Sequence, residues 1–136
     1  MRIGSVVRQW LLGAILAGSL AGAPKDGEPV TFHRDVLPVL QAKCQTCHRT
    51  GEIGPLAFLT YEQTRPWARA IKEAVTLKRM PPWGADAAHS IAFRNDPTLT
   101  DAEVAILTRW ADAGAPAGNP SNAPAPVQFA EGWSIA

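Results

Sequence analysis

The chain holds two cysteines, and they stand three positions apart with a histidine beside them, in Cys44-Gln45-Thr46-Cys47-His48. A disulfide between them would close a very small loop and add little stability. The same spacing is the attachment signature for a c-type haem. Two thiols so placed can reach the two vinyl groups on one edge of a porphyrin and form thioethers. The next residue then lies under the macrocycle, where the His48 imidazole can ligate iron from the proximal side. Other readings of the pair ask for more. A zinc site takes four ligands, so two of the three histidines would have to join Cys44 and Cys47 from irregular regions. A thioredoxin-like C-x-x-C belongs beside a βαβ pattern, and a structural disulfide leaves His48 without a role. The motif points to one covalent haem c and its iron.

The N-terminus frames that chemistry. Arg2 and Arg8 precede a charge-free run from Trp10 to Ala23, shorter than the ~20 apolar residues of a membrane-spanning helix. Ser19-Leu20-Ala21 supplies small residues for signal peptidase, and Ala21-Gly22-Ala23, followed by Pro24, is a weaker second site. Residues 1–21 therefore read as a secretory signal peptide, with a short buried helix or an uncleaved membrane anchor as the rival readings. The expected location is the periplasm or another exported compartment. Without residues 1–21 the chain keeps 11 of its 13 basic residues against 12 acidic ones. Such a balance gives no basic footprint for nucleic acid.

The remaining chain reads as one all-α domain over residues 22–116 of three to four short helices. A first helix fits from Val36 to Lys43, capped by Asp35 with Pro38 in its first turn, and it delivers Cys44 at its end. Residues 49–59 form a Gly/Pro-containing loop. Thr60 and Gln63 can make a capping box for a short turn. A longer helix follows, with Thr64 as cap and Pro66 in its first turn, and Trp67, Ala70, Ile71, Ala74 and Val75 on one apolar side. It must stop before Met80-Pro81-Pro82. The last helix is the best marked: Thr100 and Glu103 form a capping box, Leu99 and Val104 a hydrophobic staple, and Gly114 with Pro116 the stop. Ile106, Leu107, Trp110 and Ala111 make its buried stripe, with Trp110 packing between first and last helices. Residues 117–136 read as a Pro/Ala-rich linker and C-terminal tail, which either packs back on the domain or marks the edge of something larger.

Cytochromes c commonly hold iron between His and Met, and the thioether raises the reduction potential. Met80 is the one methionine left once the leader is removed, 32 residues after His48 and at the start of a Pro-Pro turn. It is the expected sixth ligand; a gap-filling core methionine is the plainer reading, and His33 and His89 are the other candidates for the iron. Axial histidines usually donate their second N–H to a carbonyl, and the Pro55 carbonyl is a plausible acceptor. Arg79, Trp83, Trp67 and Tyr61 could meet haem propionates or line the pocket. No constellation for a nucleophile or a general base is present, so the chain reads as an electron carrier rather than an enzyme.

Several stretches together resemble a known family. Phe32-x-Arg34-Asp35-Val36-x-Pro38-Val39-Leu40 leads into Cys44-x-x-Cys47-His48, followed by Gly54-Pro55-Leu56 and Arg79-Met80-Pro81-Pro82-Trp83-x-Ala85-Asp86. Phe93-Arg94-Asn95-Asp96, Leu99-Thr100-Asp101-Ala102-Glu103 and Trp110-x-x-Ala113-Gly114-Ala115-Pro116 complete the run. This pattern resembles bacterial monohaem cytochrome c domains that often stand at the N-terminus of larger secreted redox proteins. There the following part is a copper, ascorbate-dependent monooxygenase-like or a redoxin-like domain, and Gly132-Trp133 looks like the place where it would begin. The resemblance implies a cytochrome c-like fold with first and last helices crossing near the haem. It also implies attachment at Cys44 and Cys47, His48 as proximal and Met80 as distal ligand, and a redox protein or adjoining redox domain as partner. The alternatives are a haem sensor or peroxidase-like protein with an open distal site, and a haem-free thiol–disulfide protein.

Overall fold

A computed structural model describes residues 27–83, 93 and 96–129. The leader, His89, Gly132-Trp133 and parts of the family pattern (Ala85, Asp86, Arg94, Asn95) lie outside the described residues. The described residues are helical and contain no strand, so the all-α expectation holds for them. No described helix is long and apolar enough to cross a membrane.

Helical structure begins one turn earlier than the sequence suggests. Asp35 does not cap a helix at Val36. A wide turn over Phe32–Val36 runs directly into α1, Leu37–Lys43. The Asp35 carboxylate reaches back to accept from the Thr31 backbone N–H at 2.7 Å. Two further amides at this end, Phe32 and His33, donate to the carbonyls of Pro116 and Ala117 at 3.0 and 3.1 Å. Donors orphaned at a helix start are thus satisfied by chain from the far end of the sequence, a partner no local pattern could announce.

The middle of the chain forms α2 (Tyr61–Thr64), a 3-10 turn (Arg65–Trp67) and α3 (Ala68–Thr76). Half of the expected capping box is present: Thr60 Oγ1 accepts from Gln63 N–H at 3.3 Å. The Gln63 side chain instead accepts from Leu59 N–H at 3.1 Å. Thr64 is not a cap. It is helical and fully buried, and its hydroxyl donates to the Thr60 carbonyl at 2.7 Å. The end of α3 is a Schellman turn, with Arg79 N–H donating to Ala74 O and Lys78 N–H to Val75 O. Lys78 holds the left-handed position, at φ 53°.

The last helix, α4 (Asp101–Asp112), carries the full capping box between Thr100 and Glu103. Its stop is a second Schellman turn: Gly114, at φ 83°, donates to Ala111 O, and Ala115 donates to Trp110 O. Trp110 is fully buried against Phe32, ring centroids 5.9 Å apart, and its Nε1–H donates to Pro116 O at 3.0 Å. First and last helical segments therefore meet through Phe32 and Trp110, while α3 packs along α4. Leu40, Val36, Ile71, Val75 and Leu107 complete the core.

The segment read as a linker packs back as far as it is described. Gly118 lies so close to Thr31 that a Cβ would fall 2.5 Å from its Cβ. Farther along, Gln41 Nε2 donates to Ala125 O at 3.0 Å, and the Arg49 guanidinium sits 4.3 Å over the Phe129 ring.

Candidate functional site

The apolar side of the Trp67–Val75 stretch does two jobs. Ala68, Ile71 and Val75 are buried, but Trp67 and Ala70 are exposed to solvent. Trp67, Ala70, Ile71, Ala74 and Val75 all line one wall of a cleft of about 870 Å³. That volume falls in the ~300–1,000 Å³ range of ligand and cofactor sites. Leu40 and Leu56 add to its walls, and Ile53, Pro55, Met80, Pro81 and Pro82 carry them round. Lys43, at the end of α1, donates to Thr98 O at 3.0 Å and so ties down the Asp96–Leu99 stretch that forms a further wall.

Cys44, Cys47, His48 and Met80 all line this cleft. Both cysteines are free thiols. Burial pushes the Cys44 thiol up from 9.0 to about 11, with the negative charges of Glu103 and Cys47 adding smaller contributions. Cys47 is exposed. The turn holding the pair closes as α1 ends, where Cys44 N–H and Gln45 N–H donate to Leu40 O and His48 N–H donates to Cys44 O at 2.8 Å.

His48 is held from two sides. Its Nδ1–H donates to a carbonyl at 3.0 Å, and that carbonyl belongs to Leu56, not to Pro55 as the sequence suggested. Pro55 lines the cleft instead. An Nδ1–H donor leaves the Nε2 lone pair free for a metal. On the other side the Phe58 ring stacks on the imidazole, centroids 4.7 Å apart and planes 20° from parallel. Gly54 makes this packing possible. A Cβ there would lie 2.6 Å from Cys47 O and 2.8 Å from His48 Nδ1.

The remaining sequence candidates fall elsewhere. Arg79, in the turn after α3, pairs with the Glu73 carboxylate of that helix at 2.6 Å and is not among the cleft-lining residues. Trp83 meets Phe93 edge to face at 5.5 Å and is not among the cleft-lining residues. Tyr61 donates its hydroxyl to Ala115 O at 2.9 Å. His33 packs against Phe32 and Tyr61, away from the cleft. Sequence reasoning missed Gly54 as a steric requirement, Leu56 as acceptor, and Gln45 and Phe58 altogether.

These residues fit a covalently held haem. Two thiols, an imidazole whose Nδ1–H is held by Leu56 O, and a thioether line one largely apolar cleft. Among the described residues no group of three or more His, Cys, Asp or Glu side chains is placed to hold a metal ion. Comparison with protein-family models, curated proteins and solved structures finds no match.

Proposed function

We propose that the chain is an exported c-type cytochrome domain that carries single electrons on one covalently attached haem. The observation that carries this reading is the cleft: its lining brings Cys44, Cys47 and His48 together with Met80 on a largely apolar surface. Cys44 and Cys47 would hold the porphyrin edge, and His48 Nε2 and the Met80 sulfur would hold the iron. Bound haem supplies a reversible one-electron couple. The chain's own residues anchor it, exclude water along the Ile71–Val75 wall, and fix the His48 ring through Leu56. The Met80 thioether, held by the iron, would favour the reduced state. At the cleft's edge Ile53 is 87 % exposed and Trp67 41 %, which leaves apolar surface for a redox partner or an adjoining redox domain. With His48 and Met80 both available to hold the iron, the chain would leave no site open on it, which favours electron transfer over sensing or peroxidase-like catalysis.

The test is the mass of the denatured protein after expression with its own leader in a host that matures c-type cytochromes. Addition of one haem, lost in a Cys44→Ala/Cys47→Ala variant, is the expected result. Reduced protein should leave carbon monoxide unbound, and rapid carbon monoxide binding would shift the reading to an open-site sensor or enzyme.

A further inference from the structure

Gln45 stands between the two cysteines, and its side chain does not face solvent as Thr46 does. It is 3 % exposed, one of three buried polar residues of the described chain. Burying a primary amide is costly unless it is hydrogen-bonded. The Gln45 amide is bonded: Nε2–H donates to the Phe58 carbonyl at 2.8 Å. Phe58 in turn donates its N–H to His48 O at 3.0 Å and stacks its ring on the imidazole. Two residues before it, Leu56 O accepts from His48 Nδ1. One side chain inside the attachment motif therefore fastens the short stretch that both grips the second nitrogen of His48 and backs its ring.

We infer that Gln45 is a positioning residue for the His48 imidazole, acting through Phe58 and Leu56, and that it thereby sets how strongly His48 donates to the iron. The inference rests on the haem reading proposed above. A partner that holds the distal N–H of a ligating histidine fixes ring orientation and raises its basicity. A more basic imidazole favours the oxidised metal. Without the Gln45 amide the Phe58 carbonyl loses its buried donor, the Leu56–Phe58 stretch loosens, and the Nδ1–H bond weakens. The midpoint then moves toward easier reduction.

The test uses the mature haem protein and Gln45→Met, which keeps the length of the side chain and removes its N–H donor. At the wild-type midpoint, the oxidised-to-reduced ratio of the variant should fall at least about threefold, within the scale of outer-partner effects on metal sites. In nuclear magnetic resonance spectra the His48 Nδ1 proton should exchange with water at least about tenfold faster, as a weakened bond to a partner requires. A role confined to folding would lower thermal stability and leave both readouts unmoved, and that result overturns the inference. Should Gln45→Met fail to mature, Gln45→Asn, shorter by one methylene but still an amide, must show the same direction with smaller size. No change in Gln45→Asn overturns the inference equally. Wild-type protein without covalent haem overturns the functional reading and this inference together. Haem-loaded wild type with unmoved variants overturns this inference alone.

Discussion

Gly54→Ala isolates one steric demand of the site. The backbone at Gly54 does not have the positive φ that would require glycine, so alanine meets no conformational barrier there. The cost comes from space. The new methyl would sit 2.6 Å from a backbone carbonyl oxygen and 2.8 Å from the imidazole, and neither is the free end of a flexible chain. Forcing one extra methyl into such a contact costs ~1–3 kcal/mol. Relief requires Gly54 to move from Cys47 O, its acceptor at 2.9 Å, or His48 to move from Leu56 O. Either loss adds ~0.5–1.5 kcal/mol. The total is about 2–4 kcal/mol, which for a domain of this size lowers Tm by roughly 10–20 °C. Urea unfolding of wild type and variant side by side measures it, with equal slopes and a lower midpoint expected. A variant within ~0.5 kcal/mol of wild type, the scale of an ordinary surface substitution, would refute the close approach of Gly54 to His48.

Other expectations follow from the same geometry. Met80→Ala should keep covalent haem while shifting the potential downward and admitting carbon monoxide, seen by redox titration and by the spectrum of the reduced protein under the gas. Trp110→Ala removes a fully buried ring and its bond to Pro116, for a loss of ~3–5 kcal/mol in denaturant unfolding. Thr100→Ala breaks the capping box of α4 and should cost ~1 kcal/mol in the same assay. In haem-free protein the buried Cys44 thiol keeps its proton to about pH 11, whereas an unfolded thiol ionises near 9.0. The folded state binds that proton more tightly, so its contribution is full below pH 9 and is lost as pH rises to 11, a fall of about 2–3 kcal/mol. Unfolding of haem-free wild type and Cys44→Ala across that window checks it, because the variant should lack the decline.

The parts of the fold that the sequence made legible are those governed by neighbours within a turn or two. Thr100, Glu103, Gly114 and Trp110 do what their spacing implies, because caps, stops and apolar periodicity are local physics. The start of the first helix was misjudged for the opposite reason. Its free amides are satisfied by Pro116 and Ala117, about eighty residues away in sequence. The Trp67–Val75 stripe was seen, but periodicity cannot tell a face covered by protein from one that borders a cleft. In the loop, choosing Leu56 over Pro55 as the acceptor needs the conformation of each residue from 49 to 58, which composition does not specify. Arg79 is held by Glu73 across the Schellman turn at Lys78, whose reversal of the chain the sequence does not announce. Gln45 left no trace in the sequence, since any residue is compatible with that position in the motif.

The most direct test of the central claim is the spectrum of purified protein, matured from its own leader, in alkaline pyridine under denaturing conditions. A c-type haemochrome that stays with the polypeptide, at one haem per chain, is the predicted result. A colourless protein from a host that matures a control cytochrome normally would contradict the account and leave Cys44 and Cys47 as thiols in need of another chemistry.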